Sequence, residues 1–305
     1  MMWQNRTIGD LKKSAISLGD IDESVDKLKE IMVNGKHPGY STGWPEFDKY
    51  FRFPPYGQIN VLTGISGTGK SEWLDTLACH CAVQHKWNIF VFSPENFPLE
   101  YHIEKMACKF TEKTCTESFN GFKKISNEEL ELVREILNNR FRFINPGTHS
   151  VSVQRMIDTI EWECINQKIN MVVIDPWNKM EIIREQGKSK TDFIGETLPQ
   201  FQRIARSYNI HFFIVAHPSK PTRINGSPVP ITLFDIEDSR HWYNMIDNGF
   251  IVNRSWEDKT NNNLADVIVG KIKDNRYGKV GTTSFEFIRA IRKYKEIQAR
   301  TNNGY

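Results

Sequence analysis

The sequence predicts an α/β fold in which a mainly parallel sheet is flanked by helices on both faces. Four near-continuous apolar runs, separated by helical patterns, are typical of strands buried on both sides: residues 59–63, 87–92, 171–174 and 210–216. A glycine-rich turn follows the first of these runs and opens a helical pattern. Three shorter runs predict antiparallel strands at one sheet edge near the C-terminus: residues 250–252, 267–269 and 285–288.

Length and composition are those of a globular protein with a substantial core. The 305 residues are 39% apolar and 25% charged, and a net charge of +3 is too small to indicate a nucleic-acid partner by itself. Five cysteines at irregular positions do not form the pattern of a disulfide framework. Because we find no targeting signal and no apolar run of membrane-spanning length, we expect no membrane association and a cytoplasmic location in a bacterial or phage-infected cell.

We divide the chain into three parts. Residues 1–38 form a helical extension, in which an apolar stripe predicts one amphipathic helix that begins at Asp20 or Asp22: Ile21, Val25, Leu28 and Met32. This helix packs either on its own domain or on a neighbouring subunit, and the sequence leaves both open. Residues 39–292 form the predicted α/β domain, which contains the glycine-rich turn. The basic and polar residues 293–305 are expected to be a frayed tail.

The glycine-rich turn has the spacing of a phosphate-binding loop. A strand precedes it and a helix follows it, so backbone N–H groups and the positive end of the helix dipole point at the phosphates. Lys70 is placed to reach the β- and γ-phosphates, and the Ser71 hydroxyl to ligate Mg²⁺. A chance glycine-rich turn is the alternative, but every fixed position of the motif is present. We therefore expect Mg²⁺ and ATP, or another NTP or dNTP, to bind at Gly64, Ser66, Gly67, Thr68, Gly69, Lys70 and Ser71.

Three further strand ends carry polar side chains at the edge where such sheets bind ligands. Asp175 is predicted to hold Mg²⁺ in the nucleotide site, with a turn-capping aspartate as the alternative. Glu95 is predicted to polarise the attacking water as a general base, unless it only bonds its own turn. His217 is predicted to sense the γ-phosphate, although a lone histidine is more often structural. Glu72, next to the P-loop, is expected to be a charge on the helix surface.

Basic turns complete the candidate site. Arg276 lies between two strand-like runs and is predicted to be an arginine finger that neutralises charge on the γ-phosphate; an ordinary solvated turn is the alternative. Two long polar stretches, 183–196 and 219–230, follow strands that end at the nucleotide edge. They either bind the DNA backbone or are surface loops. The DNA-binding candidates in them are Arg184, Lys188, Lys190, Lys220, Arg223 and Asn225.

The order of these motifs resembles the RecA-like motor domain of hexameric replicative helicases of the DnaB type, and especially the Twinkle-like branch. The resemblance runs from roughly residue 41 to residue 287. Six motifs carry it in chain order: a lead-in segment (41–48), the P-loop (64–71), a catalytic-glutamate turn (93–96), a Walker B strand (173–176), a sensor strand that ends in histidine (215–218) and an arginine-finger turn (275–281). The P-loop alone is unspecific, whereas the ordered set is specific.

The resemblance implies a nucleotide-fuelled motor that moves 5′ to 3′ on single-stranded DNA and unwinds duplex DNA in replication, as a ring of six subunits. It implies that Arg276 acts in trans on a neighbour's nucleotide and that the helix at 21–33 docks on an adjacent subunit. A primase and other replication proteins are among the partners it implies. Asp274 stands where relatives often carry a lysine, two positions before the finger.

Two other functions are compatible with the P-loop. A RecA-like, DNA-dependent ATPase would time its assembly on DNA by hydrolysis, without unwinding. A small-molecule kinase would need a lid that carries arginines and would not use a finger from another subunit. Hydrolysis stimulated by DNA, together with assembly in the presence of nucleotide, would exclude the kinase.

Overall fold

The computed structural model describes residues 19–117, 121–144, 151–181, 190–219, 223–224, 227–228, 230–237, 239–254 and 263–297. Contacts divide the chain into two units, residues 1–38 and residues 39–305.

The first unit contains helix α1 (Ile21–Asn34). Asp20 caps its start, because the carboxylate accepts a hydrogen bond of 3.0 Å from the Glu23 backbone N–H. Gly35, with a φ of 78°, ends it. The predicted amphipathic helix is therefore present, and its whole apolar stripe is exposed, up to 77% and 78% at Ile21 and Met32.

The second unit contains these strands in chain order: β1 (Gln58–Thr63), β2 (Ile89–Phe92), β3 (Phe141–Phe143), β4 (Met171–Ile174), β5 (His211–Val215), β6 (Arg223–Ile224), β7 (Ser227–Pro228), β8 (Asn248–Asn253), β9 (Leu264–Ile272), β10 (Gly281–Ile288) and β11 (Lys293–Glu296). β6 and β7 pair only with each other, and the others form one sheet in the order β11-β10-β9-β8-β1-β5-β4-β2-β3. Neighbours from β8 to β3 are parallel, and those from β8 to β11 are antiparallel. The predicted α/β fold with antiparallel edge strands is confirmed.

Helices cover both faces of the sheet: α2 (Lys70–Gln84), α3 (Leu99–Thr111), α4 (Asn127–Arg140), α5 (Val153–Asn166), α6 (Lys190–Tyr208) and α7 (Ser239–Met245). Helices α2, α3 and α4 share one apolar cluster, and α5, α6 and α7 share another. In β4, Met171 and Val173 point into the first cluster, whereas Val172 and Ile174 point into the second. Both faces of the strand are therefore apolar, which explains its unbroken hydrophobic run. None of the described helices is long and apolar enough to cross a membrane.

The structure differs from the predicted frayed tail at its first four residues. β11 pairs with β10, and Tyr294 in its centre is only 1% exposed. A strand with one buried face alternates its side chains, so a strand this short buries few of them. A single tyrosine between two lysines gives no recognisable hydrophobic pattern, and for that reason the sequence analysis assigned these residues to the tail.

Candidate nucleotide site

The phosphate-binding loop connects the end of β1 to the start of α2. Gly69 precedes the helix with a φ of 94°, and no described side chain caps α2, so the N–H groups of its first turn remain available to a ligand. Gly64 is required by close approach, because a Cβ there would lie 2.3 Å from the carbonyl oxygen of Val252. The Thr68 hydroxyl donates to the Ile65 carbonyl at 2.9 Å and holds the turn closed. The loop thus presents backbone donors at a helix N-terminus, as a phosphate site requires.

Lys70 places its ammonium group inside the curve of this loop. The residue is 6% exposed, and Nζ donates to the carbonyl oxygens of Gly64 at 2.8 Å and Ile65 at 2.9 Å. Burial lowers the pKa of Lys70, and the negative charges of Asp175 and Glu95 act in the opposite direction. The one cation of the loop therefore lies within electrostatic range of both predicted acids.

Four neighbouring strands, in the order β1, β5, β4 and β2, are parallel and end at the same edge of the sheet. The P-loop follows β1, and His217 lies two residues beyond β5. Asp175 follows β4 directly, and Glu95 lies in the 3₁₀ turn Pro94–Asn96 after β2. The topology thus brings together the residues that the sequence placed at separate strand ends.

Asp175 is buried, and the Ser71 hydroxyl lies close enough to lower the pKa of its carboxyl. Its backbone N–H donates to the Phe92 carbonyl at 2.9 Å, which fixes the residue against β2. Burial raises the pKa of the carboxyl to about 6, and the negative charge of Asp75 acts in the same direction, whereas the nearby Ser71 hydroxyl lowers it. A buried carboxylate beside a hydroxyl is a pair of hard oxygen donors, and a divalent cation would offset the cost of its burial. This donor set fits Mg²⁺.

Glu95 is half-exposed and forms an ion pair with Lys179, whose Nζ lies 3.5 Å from its carboxylate. Lys179 ends the 3₁₀ turn Trp177–Lys179, which follows Asp175. Exposure suits a base that must contact water beside a bound nucleotide. The sequence analysis missed Lys179, because a lysine five residues past a strand end looks like any surface charge.

His217 is half-buried at the end of β5. Burial lowers its pKa, the positive charge of Lys70 lowers it further, and the negative charge of Glu95 raises it. Its carbonyl oxygen accepts a hydrogen bond of 3.2 Å from the Glu237 backbone N–H. His217 therefore connects the nucleotide edge to the segment at 230–237.

Glu72 is not the surface charge that the sequence predicted. Its side chain is 16% exposed and forms ion pairs with Lys109, which is fully buried, and with Lys105 at 3.2 Å. Lys105 also donates to Asn96 Oδ1 at 2.7 Å, so it links the start of α2 to the turn that carries Glu95. A helical pattern places Glu72 on α2, but only the packing of α3 decides which side of α2 is covered.

Tyr294 of β11 packs against the phosphate-binding loop. Its hydroxyl donates to the Thr68 carbonyl at 3.3 Å, and its backbone N–H donates to the Thr76 hydroxyl at 3.4 Å. A Cβ at Gly69 would lie 2.2 Å from the Tyr294 hydroxyl oxygen. Burial raises the pKa of Tyr294 to about 12, so the phenol stays a neutral donor at physiological pH. The sequence analysis missed this support because it assigned the residue to the tail.

We expect Tyr294→Ala to lower the free energy of unfolding by about 3–5 kcal/mol, as large aromatic truncations in cores do, and to weaken nucleotide binding. Chemical denaturation and nucleotide titration measure the two effects. Lys295→Ala is the matched control on the same strand, where an exposed ion pair of 3.0 Å with Glu112 is lost, and should cost less than about 1 kcal/mol. If both variants had equally small effects, residues 293–296 would behave as the frayed tail that the sequence predicts.

Arg276 and the P-loop lie at opposite ends of the strands of the sheet. Its turn follows β9, whose last residue, Ile272, pairs with Asn248 at the start of β8; Asn248 in turn pairs with Asn60 near the start of β1. At about 3.3 Å per residue, β1 separates the two ends by roughly 20 Å, more than an arginine side chain spans. Arg276 therefore cannot reach Lys70 of its own chain.

The predicted DNA-binding residues fall largely outside the described residues. This holds for Arg184, Lys188, Lys220 and Asn225, and only the backbone of Lys190 and Arg223 is described. Lys190 begins α6, and Arg223 begins the β6–β7 hairpin. Their role stays a prediction.

A phosphate-binding loop on the central strands of a mainly parallel sheet, with acidic residues at the ends of neighbouring strands, defines a RecA-like P-loop NTPase. The family of DnaB-like helicase C terminal domains matches residues 39–296, which include the whole described sheet. The chain belongs to this family. The resemblance found in the sequence is confirmed, and nucleotide binding follows from it.

The chain is also similar to a curated relative, the "Twinkle homolog protein, chloroplastic/mitochondrial" of Arabidopsis thaliana. The two are 27% identical over 284 residues, which cover 92% of this chain and 39% of the relative. The chain thus spans about two fifths of the length of that protein.

Two solved structures share the fold. One is described as an ATPase domain; it has a TM-score of 0.75, and the match covers 92% of this chain and 100% of that one. The other is described as a DnaB-like replicative helicase and its interactions with primase; it has a TM-score of 0.73, and the match covers 95% of this chain and 70% of that one. Both are 17% identical to this chain, so the likeness establishes the fold alone.

Proposed function

We propose that this chain is the motor of a ring-shaped replicative DNA helicase, which hydrolyses ATP or another nucleoside triphosphate to move along single-stranded DNA and unwind duplex DNA. Membership of the DnaB-like family and similarity to the Twinkle homolog support this proposal. The observation that carries it is the separation of Lys70 and Arg276 to opposite ends of the strands of one sheet. A subunit that carries the two halves of a shared site on opposite sides suits a head-to-tail ring.

We propose a step in hydrolysis for each of these residues, and their positions in the structure support it. Lys70 and the backbone donors of the P-loop neutralise and orient the phosphates. Glu95, half-exposed beside them, accepts a proton from the attacking water. His217 exchanges hydrogen-bond partners when the γ-phosphate leaves and passes the change to the segment at 230–237. Arg276 of a neighbouring subunit neutralises the charge that develops on the γ-phosphate.

Ser71 and Asp175 would hold Mg²⁺, which would offset the negative charge of the phosphates. This assignment is supported by the burial of the Asp175 carboxylate and by the influence of the nearby Ser71 hydroxyl on its pKa. The same burial that raises the carboxyl pKa to about 6 makes a bound cation favourable there.

Assembly as a ring, most simply of six subunits, gives the exposed stripe of α1 a role. An amphipathic helix with its apolar stripe in water is stabilised when that face is covered. We propose that α1 docks on an adjacent subunit of the ring, that residues 1–38 act as a linker, and that residues 39–292 together with β11 form the motor.

DNA contacts are proposed for the loops that follow β4 and β5. Arginine and lysine side chains in those loops bind phosphates without reading sequence, as a motor that moves along any sequence requires. The six DNA-binding candidates lie in the polar stretches 183–196 and 219–230 of the sequence. A primase is a proposed partner, since one of the solved structures with this fold is described with a primase. The predicted cytoplasmic location stays a prediction.

The test combines two broken subunits. Arg276→Ala leaves the P-loop intact, and Lys70→Ala leaves the finger intact. Each variant alone should lose DNA-stimulated hydrolysis, because each of its interfaces lacks one half of the site. In an equal mixture about a quarter of the interfaces of a head-to-tail ring join an intact P-loop to an intact finger, so hydrolysis should recover to about that fraction.

Hydrolysis is measured as phosphate release with single-stranded DNA present, and unwinding as strand displacement from a forked duplex. Absence of any recovery in the mixture, with subunit exchange verified, would contradict a shared site. DNA-stimulated hydrolysis without strand displacement would favour the RecA-like ATPase that does not unwind.

A further inference from the structure

The turn that carries Arg276 contains a carboxylate that binds the arginine side chain. Asp274 Oδ1 accepts hydrogen bonds from the Arg276 backbone N–H at 3.1 Å and from Nε at 2.8 Å. Nε also lies 3.0 Å from Oδ2, and Nη2 donates to the same oxygen. The pair is therefore bidentate, the strongest and most directional form of a carboxylate–guanidinium contact.

Tyr56 anchors this carboxylate from outside the turn. Its hydroxyl donates to Asp274 Oδ2, although the two residues are 218 positions apart in the chain. Burial raises the pKa of Tyr56 to about 12, and its hydrogen bond to Asp274 contributes to the shift. The Tyr56 and Tyr277 rings meet edge to face, with centroids 6.0 Å apart. Asp274 is therefore fixed to the segment that leads into β1.

The exposure of the side chains shows which of them is presented to a ligand. The Asp274 side chain is only 15% exposed, whereas that of Arg276 is 55% exposed, and its guanidinium lies 5.7 Å from the centre of the Tyr277 ring. The bonds to Asp274 are made through Nε and Nη2, and a guanidinium has five N–H donors in one plane. The carboxylate thus holds one side of the plane while other donors can face an anion.

We propose that Asp274 is a positioning residue for Arg276, anchored by Tyr56, and that the cation this chain donates to a neighbour's nucleotide is a single arginine oriented by a carboxylate. The inference rests on the proposed role of Arg276 in trans. Lys273 does not supply a second oriented cation here, because its Nζ is paired with Asp247 at 2.8 Å.

Asp274 has two opposing effects on the action of Arg276. Its negative charge reduces the positive potential of the turn, but solvent screens this effect because the Arg276 side chain is 55% exposed. The bidentate contact with Asp274 restricts the conformational freedom of the long Arg276 side chain before the nucleotide binds. Without Asp274, that freedom would be lost only in the transition state. Orientation therefore outweighs the loss of potential, and removal of Asp274 should slow the reaction.

The first experiment measures kcat and KM for DNA-stimulated hydrolysis in Asp274→Ala, Tyr56→Phe and Asp266→Asn. Asp266 is the matched control, since it lies on β9 and accepts a 2.6 Å hydrogen bond from Ser284 on the next strand. We expect kcat to fall about tenfold or more in Asp274→Ala and by a smaller factor in Tyr56→Phe, with KM little changed, because misplacement acts on the reacting geometry. Asp266→Asn should match the wild type.

The second experiment is a double-mutant cycle, which separates positioning from a general structural role. If Asp274 acts through Arg276, Asp274→Ala should reduce kcat no further in a chain that already carries Arg276→Ala. Subunits with Asp274→Ala should also regain hydrolysis when mixed with Lys70→Ala subunits, because the latter contribute an intact turn.

Each outcome decides one point. An unchanged kcat in Asp274→Ala would overturn the positioning role and indicate an ordinary solvated turn. An increased kcat would also overturn it and indicate that Asp274 restrains Arg276 from acting. An additional loss in the double variant would overturn it in favour of a structural role elsewhere. Unchanged hydrolysis in Arg276→Ala would instead contradict the proposed function itself, so the two failures are distinguishable.

Discussion

Replacing Lys70 by alanine will abolish nucleotide turnover. The Lys70 ammonium is buried within the loop and is bound to the Gly64 and Ile65 carbonyls, so a lysine at the surface cannot substitute for its charge beside the phosphates. Loss of one preorganised charge donor from such a site lowers kcat by about 10²- to 10³-fold, and we expect at least this. Phosphate release at saturating nucleotide measures the effect.

The control for this variant is Lys168→Ala, which removes an exposed lysine far from the loop and should hydrolyse nucleotide like the wild type. Thermal unfolding should show that Lys70→Ala remains folded, since alanine is the best helix former at the start of α2. Turnover at the wild-type rate in a folded Lys70→Ala protein would discard the P-loop assignment.

Glu95→Gln is expected to separate binding from hydrolysis. Glutamine has the same shape but cannot accept a proton, so nucleotide affinity should stay near the wild-type value while kcat falls by about 10²- to 10⁴-fold. Affinity is measured with a fluorescent nucleotide and kcat by phosphate release. A kcat that does not change would return Glu95 to the structural role of bonding its own turn.

Two variants isolate the chemical role of Glu95 from its other contacts. Lys179→Gln breaks the same 3.5 Å ion pair but keeps the base, and because both partners are half-exposed we expect a much smaller loss of kcat. Glu100→Gln changes an exposed glutamate at the start of α3 and should have no effect. If Lys179→Gln were as inactive as Glu95→Gln, the ion pair rather than the proton acceptor would account for the defect.

Much of the fold could be predicted because its signals are local. The apolar runs of β1, β2, β4 and β5 are continuous, since each strand is buried on both faces, and the P-loop spacing depends on a few adjacent residues. Placing Asp175, Glu95 and His217 at strand ends needed only the knowledge that parallel strands share one ligand-binding edge.

Other parts of the site could not be predicted because they depend on contacts between distant segments. Glu72 looks like a surface charge until α3 brings Lys105 and Lys109 against it. Tyr294 looks like part of a polar tail until β11 pairs with β10 and places it against the loop.

The sequence by itself determined the class of this protein, a P-loop NTPase domain with its acids at the ends of parallel strands, because strand burial and loop chemistry depend on neighbouring residues. The tertiary structure alone decided what supports the loop, what links Lys105 to the Glu95 turn, and what holds Arg276. Those contacts join residues up to 226 positions apart, and only the order and direction of the strands bring such residues within hydrogen-bonding distance.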